Sequence, residues 1–255
     1  MLTVSLRTHP GTVRTINEDT VLWDPGLSLL AVADGMGGHN AGEVASRMAI
    51  ETIRTFLEKS AKSHDCTWPF GVDVSVSLEM NRLRTAVRLA NRRIFRESEE
   101  RVEYTGMGTT VVAALVAGPR VTFVSVGDSR IYLVAAHELQ QVSRDDSFMG
   151  LLSKEAGLDA KALEKHPLRH VLTNVVGARP DLELSGDEFD LQDGQAIILC
   201  SDGLYGSVPE PGLHAAASMA DLDQAADAMI RAAIEGRSDD NVSVLLARYT
   251  ADPQT

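Results

Sequence analysis

The chain has 255 residues, 44% of them hydrophobic, and a formal net charge of −12. That length and apolar content suffice for one sizeable core, so a single domain over residues 1–250 with a short tail at 251–255 is expected. The negative charge repels a phosphate backbone, and no Lys/Arg cluster interleaved with aromatics compensates, which argues against nucleic acid as a partner. No run of about 18 apolar residues occurs, and Met1–Pro10 lacks a basic start followed by an apolar stretch. Neither a membrane span nor a secretory signal is predicted, and the expected compartment is the cytoplasm. Cys66 and Cys200 cannot supply a disulfide framework; Cys200 closes the apolar run Ala196-Ile197-Ile198-Leu199, where a thiol is usually a small buried hydrophobe. The acidic surplus fits a carboxylate-rich cation site as well as ordinary solvated surface, and composition does not separate the two.

Leu2–Thr8, Thr20–Trp23 and Leu27–Ala33 are short β-branched or apolar runs broken by Gly, Pro and Asp, the pattern of strands joined by tight turns. Val44, Met48, Ile53 and Phe56 then recur near helical spacing, and Val76, Met80, Leu83, Val87, Ala90 and Ile94 alternate steps of four and three. Two amphipathic helices follow, joined by an aperiodic loop at Lys62–Asp73. Thr109–Ala117, Arg120–Val126 and Ile131–Ala135, split by Gly118-Pro119 and Gly127-Asp128-Ser129, read as an antiparallel meander. Asp145–Thr173 mixes Gly150, Gly157 and Pro167 with short helical pieces, the texture of a mobile surface subdomain. Leu182–Phe189 and Ala196–Cys200 read as strands, Asp221–Glu235 as a helix and Val242–Tyr249 as a last strand. Sheet, helices, sheet, helix, sheet is not a βαβ alternation, so antiparallel sheets flanked by helices are expected.

Four acidic motifs stand beside predicted strand ends: Arg14-x-x-Asn17-Glu18-Asp19, Asp34-Gly35-Met36-Gly37-Gly38, Ser201-Asp202-Gly203 and Asp239-Asp240-Asn241. Asp34 and Asp202 each follow an apolar run and precede glycine, where the backbone can turn sharply and approach an ion. Any one Asp-Gly is more often a plain turn; four together shift the balance towards a metal site. The donor set is oxygen-rich, with no cysteine pair and no His-x-x-x-His, so it suits hard Mg²⁺ or Mn²⁺ rather than zinc. His137-Glu138-Leu139-Gln140-Gln141 starts like a zinc-protease helix but lacks the second histidine. Two such cations activate water and stabilise in-line displacement at phosphorus, which points to phosphate-ester hydrolysis. Arg14 supplies a planar guanidinium able to hold two phosphate oxygens.

These motifs, in this order and over almost the whole chain, resemble the metal-dependent protein phosphatase family (PPM, type 2C), particularly its bacterial members. Gly108-Thr109-Thr110 and Gly127-Asp128-Ser129-Arg130 resemble its central motifs, Ser201-Asp202-Gly203-Leu204 and Asp240-Asn241-Val242-Ser243 its last two, and His166-Pro167-x-x-x-Val171-Leu172-Thr173 the stretch after its flap. The resemblance implies a four-layer αββα sandwich of two face-to-face antiparallel sheets with a small flap at about 145–173. It implies two Mn²⁺ or Mg²⁺ ions, with Asp34 bridging them and the Gly35 carbonyl on one; Asp202 and Asp240 would complete the second ion's shell. Glu18 and Asp19 would hold coordinating waters, Asp128 with Asp202 a weaker third ion, and Arg14 the substrate phosphate. The implied reaction is direct attack of activated water on protein phosphoserine or phosphothreonine, without a covalent phosphoenzyme. By family analogy a monomer would oppose a bacterial Ser/Thr kinase, acting on its targets or on the kinase itself.

Two departures matter. Animal members carry a histidine, a candidate general acid, where this chain has Met36; nearby His39 has a suitable unperturbed pKa but is equally suited to an orienting role. Many relatives carry an Asp where this chain has Gly206, which weakens the expected third ion. Cysteine-based phosphatases need an arginine six positions after the nucleophile; Cys66 is followed there by Val72 and Cys200 by Gly206. No Gly-x-x-x-x-Gly-Lys loop, kinase set or Gly-x-Ser-x-Gly elbow is present. The competing readings are a two-metal phosphoesterase for small molecules and a catalytically silent module that binds phosphoproteins.

Overall fold

The computed structural model describes residues 1–37, 41–62, 67–148, 168 and 171–251. The first half runs β1 (Leu2–His9), β2 (Asp19–Asp24), β3 (Leu29–Met36), α1 (Ala41–Lys62) and α2 (Leu78–Glu100). A single tight helical turn at Val102–Tyr104 leads into β4 (Gly108–Thr109), β5 (Val111–Ala117), β6 (Arg120–Val126), β7 (Arg130–Val134) and β8 (Leu139–Gln141). Then come β9 (Ser185–Asp190), β10 (Ala196–Cys200), α3 (Asp202–Tyr205), α4 (Glu210–Ala217), α5 (Leu222–Glu235) and β11 (Val242–Tyr249). Among the described residues no helix is long and apolar enough to cross a membrane.

The strands form two sheets, ordered β1-β11-β10-β7-β8 and β2-β3-β5-β6-β9, with β4 also pairing β3. Every pairing is antiparallel. Side chains alternate across a strand, so β3 serves two cores at once. Leu30 and Val32 pack between the sheets with Ile197, Leu199 and Leu245. Leu29, Ala31 and Ala33 point the other way, onto Ala45, Ala49 and Ile53 of α1 and Leu83, Val87 and Ala90 of α2. The second sheet's outer face is covered in turn by α4 and α5, through Leu213, Leu222, Ala226 and Met229 against Ile198, Val244 and Leu246. Three apolar layers make the expected αββα sandwich, and they explain why the strand runs are apolar throughout rather than alternating. Each Leu or Ile sunk in the middle layer contributes about 1.5–3 kcal/mol, which clamps the strand ends of the two sheets together.

Local chemistry sets the helix starts. The Ser77 hydroxyl accepts from the Met80 N–H at 3.0 Å to cap α2, and Asp221 Oδ1 accepts from Asp223 and Gln224 at 2.9 and 3.1 Å to cap α5.

The expected meander is only half present. β5 and β6 pair, but β7 leaves for the other sheet, where it lies beside β10. Gly127-Asp128-Ser129 is therefore a crossing between sheets and not a hairpin turn; β6 uses its free edge to pair with β9. The expected strand at Leu182–Phe189 begins later, at Ser185. β8, α3 and α4 were not foreseen, being three, four and eight residues long. Of the expected flap, 149–167, 169 and 170 lie outside the described residues, as do Gly38, His39, Cys66 and 252–255. The flap's described ends are joined: Thr173 N–H donates to Asp146 O and Phe148 N–H to Val171 O, each at 2.8 Å.

Candidate metal centre

The register of the β2–β3 pair sets Asp19 directly opposite Asp34. One residue further, Gly35 N–H donates to Glu18 O at 3.2 Å. A side chain on Gly35 would run into the Gly42 and Glu18 carbonyl oxygens, and one on Gly42 into the Glu18 carboxylate. The two glycines thus let the start of α1 touch the end of β3, and the Glu18 carboxylate accepts from the Gly42 and Glu43 N–H groups at that helix start.

Hydrogen bonds fix the backbone that carries each acid. Asp34 N–H donates to Thr110 Oγ1 at 3.1 Å, and its carbonyl accepts from Thr110 N and Thr109 Oγ1, both at 2.8 Å. Thr110 Oγ1 lies 2.7 Å from Ser129 Oγ, which ties β3 to the loop bearing Asp128. Ser201 Oγ donates to Asp19 Oδ2 at 2.7 Å and accepts from Ser243 N at 3.0 Å, joining both sheets beneath the acids. Asn241 braces the 10–18 loop: its amide nitrogen donates to Pro10 O and Ile16 O at 3.0 and 2.9 Å, and its oxygen accepts from Glu18 N at 2.8 Å. On the far side the Tyr205 hydroxyl donates to Asp128 O at 3.0 Å. Arg130 stacks on the Tyr205 ring at 3.7 Å and holds Asp145 through Nε and Nη2, the latter at 2.7 Å.

The electrostatics are those of a site short of positive charge. Burial, together with Asp19, Asp202, Asp128 and Asp240, pushes the Asp34 carboxyl well above the usual range. Burial also raises Asp19 to about 6, against the opposing bonds from Ser243 and Ser201. Asp128 is pushed up to about 7 by burial and then by Asp202 and Asp145, and burial raises Glu18. Arg14 answers from the rim, half-exposed, with Nη2 2.9 Å from Asp240 Oδ2.

The structure therefore brings together Arg14, Glu18, Asp19, Asp34, Gly35, Asp128, Asp202 and Asp240. His39 lies outside the described residues. Met36 closes β3 opposite Gly108, and Gly206 contributes no carboxylate, its N–H donating to Asp202 O at 2.8 Å. Sequence reasoning gave no role to Ser201, Thr110, Asn241 or Tyr205, although each sits inside a motif or within three residues of its aspartate.

The donors fit hard divalent cations. Asp19 Oδ1 is buried with no hydrogen-bond partner among the described residues, as a group awaiting an ion would be. Among the described residues no three His, Cys, Asp or Glu side chains close into a tight cage; ions such as Mg²⁺ keep several waters and need few direct carboxylates.

A family model for protein phosphatase 2C matches residues 13–238. The chain belongs to the protein phosphatase 2C family. It is 34% identical over 247 residues to the serine/threonine protein phosphatase PstP of Mycobacterium tuberculosis, covering 97% of this chain and 45% of that one. The chain thus spans about half the length of that relative. To the serine/threonine phosphatase stp of Listeria monocytogenes it is 32% identical over 245 residues, covering 94% of this chain and 93% of the other. Among solved structures, the catalytic domain of the phosphatase PstP in complex with two manganese ions matches with a TM-score of 0.82 and 32% identity, covering 98% of each chain. The 2C-type sandwich is therefore shared in both sequence and shape.

Proposed function

We propose that this chain is a metal-dependent protein serine/threonine phosphatase that hydrolyses phosphoserine and phosphothreonine with two Mn²⁺ or Mg²⁺ ions. The observation that carries the reading is the convergence of largely buried carboxylates from strand ends of both sheets, raised by burial and by one another's charge, with Arg14 on Asp240 and Arg130 beside Asp128 as the nearby cations. Such repulsion has no structural use unless cations relieve it. Asp34 would bridge the two ions, the Gly35 carbonyl would bind one, and Asp202 and Asp240 would complete the other's shell. Glu18 and Asp19 would hold coordinating waters, and Asp128 with Asp202 a weaker third ion.

When bound, the cations acidify a shared water and neutralise charge building on the phosphoryl oxygens. The chain's own groups supply the rest. Arg14, held at the rim by Asp240, presents a fork that grips two phosphate oxygens and orients phosphorus for in-line attack. Ser201 and Asn241 keep Asp19 and Glu18 aimed at the centre. Among the described residues a thiol nucleophile has no support: Cys200 is fully buried, and burial pushes it up to about 12. Met36 offers no proton to the leaving group, which leaves that step to water or to His39. Residues 1–250 would form the one catalytic domain, with its flap at 145–173, acting in the cytoplasm as a monomer on the targets of a bacterial Ser/Thr kinase or on the kinase itself.

The test is an acid-quenched reaction with a radiolabelled phosphothreonine peptide. Phosphate should be released only after Mn²⁺ or Mg²⁺ is supplied, with no label on the protein. Release in excess chelator, or trapped label on a side chain, would overturn the reading.

A further inference from the structure

Helix α2 gathers positive charge that is hard to see in the linear chain: Arg82, Arg84, Arg88, Arg92, Arg93 and Arg96 stand against Glu79 alone between residues 78 and 96, in a protein of net charge −12. Steps of four place Arg84, Arg88, Arg92 and Arg96 along one row of the helix. Arg84 has Asp73 at 3.5 Å and Arg96 has Glu97 at 3.7 Å. Arg88 and Arg92 have no carboxylate partner among the described residues; both guanidinium groups lie over the ring of Phe70, at 5.8 and 4.1 Å from its centroid. The loop bearing Phe70 is pinned to the helix. Asn81 exchanges two hydrogen bonds with the Asp73 backbone, at 2.8 and 2.9 Å, and Trp68 packs edge-on against Phe56. In the segment that runs on from Phe70 into α2, Val74 is 96% exposed and Val72 and Leu78 about half exposed.

We propose that this face, Arg88 and Arg92 over Phe70, docks an Asp/Glu-rich segment of the phosphoprotein substrate; the proposal rests on the phosphatase reading. Two guanidinium groups one helical turn apart repel each other, and the ring holds them in place without neutralising them. A carboxylate bridging them removes that repulsion and binds in the fork geometry that guanidinium favours. An anionic membrane or nucleic acid would meet the repulsion of the acidic remainder of the surface; a short segment confined to this face escapes it. α2 packs on the outer face of the β2-β3-β5-β6-β9 sheet, and neither Arg88 nor Arg92 is among the residues of the acidic centre, so the surface extends recognition without entering the chemistry.

The test uses a fluorescein-labelled Glu/Asp-rich peptide without phosphate, read by anisotropy at several salt concentrations, against wild type and the double variant Arg88→Gln/Arg92→Gln. We expect salt-sensitive binding that weakens at least about fivefold in the variant. Thermal unfolding should change only slightly, since the variant gives up no more than the two contacts with the Phe70 ring. In turnover assays, adding the acidic segment to a phosphothreonine peptide should lower KM for wild type and not for the variant, with kcat and the short peptide's kinetics unaltered. Equal peptide affinity in both proteins overturns the proposal. So does binding to phosphatidylserine vesicles that the variant loses while peptide binding is untouched. No turnover of either peptide would sink the phosphatase reading instead, and the anisotropy comparison would still decide the docking surface.

Discussion

Replacing Asp128 by asparagine should stabilise the metal-free protein. Burial and the charges of Asp202 and Asp145 raise its carboxyl from 3.8 to about 7 in the folded state. Ionising it there costs about 4 kcal/mol more than in the unfolded chain. Between about pH 4 and pH 7 the folded state binds the extra proton, so stability present below pH 4 is lost as the pH rises through the folded value. Asparagine carries no such charge. In chelator at pH 8 we expect Asp128→Asn to exceed wild type by up to about 4 kcal/mol, with the gap closing towards pH 4. Urea denaturation followed by the fluorescence of Trp23 and Trp68 measures both limits. Added Mn²⁺ should then stabilise wild type more than the variant, because the acid that costs stability alone gains a counter-ion. A variant no more stable than wild type at pH 8 would refute the electrostatic picture of the centre.

Gly35→Ala places a methyl group against the Gly42 and Glu18 carbonyl oxygens; it should cost at least about 3 kcal/mol in denaturant unfolding and weaken Mn²⁺ binding by calorimetry. Asn241→Ala removes three hydrogen bonds from the loop carrying Arg14 and Glu18. About 3 kcal/mol of stability should go with them, and phosphopeptide KM should rise. Arg14→Ala breaks a half-exposed ion pair, so stability should change by less than about 1 kcal/mol. Its KM should rise while Mn²⁺ affinity stays within a few fold; loss of metal binding would show Arg14 to be misassigned.

The three apolar layers were legible because their signal is local: Leu29–Ala33, Val111–Val116 and Ala196–Cys200 are apolar runs that could be buried only on both faces. The acids were legible for a related reason, since Asp34-Gly35 and Asp202-Gly203 each follow such a run directly. What spacing could not carry was partner choice. Nothing in Gly127-Asp128-Ser129 says that the chain crosses to the other sheet; that outcome depends on β9 taking the free edge of β6, some 60 residues later. The braces are similarly non-local. Asn241 acts on Pro10, Ile16 and Glu18, and Ser201 on Asp19, contacts that exist only after β1, β10 and β11 are paired. The arginine row of α2 was hidden by net charge and by interleaved Leu, Ala and Val, and emerges only when every fourth residue is brought onto one face.

The most direct test of the account compares wild type with Asp34→Asn, both stripped by chelator, in phosphate release from a phosphothreonine peptide before and after Mn²⁺ is added. Asp34 lies at the end of β3 and touches its neighbouring strands through backbone atoms, so the substitution should leave the fold intact. The account predicts no release from either protein in chelator, restored turnover in wild type, and little or none in Asp34→Asn. Near wild-type turnover by a folded Asp34→Asn, or metal-independent release by both, would contradict it.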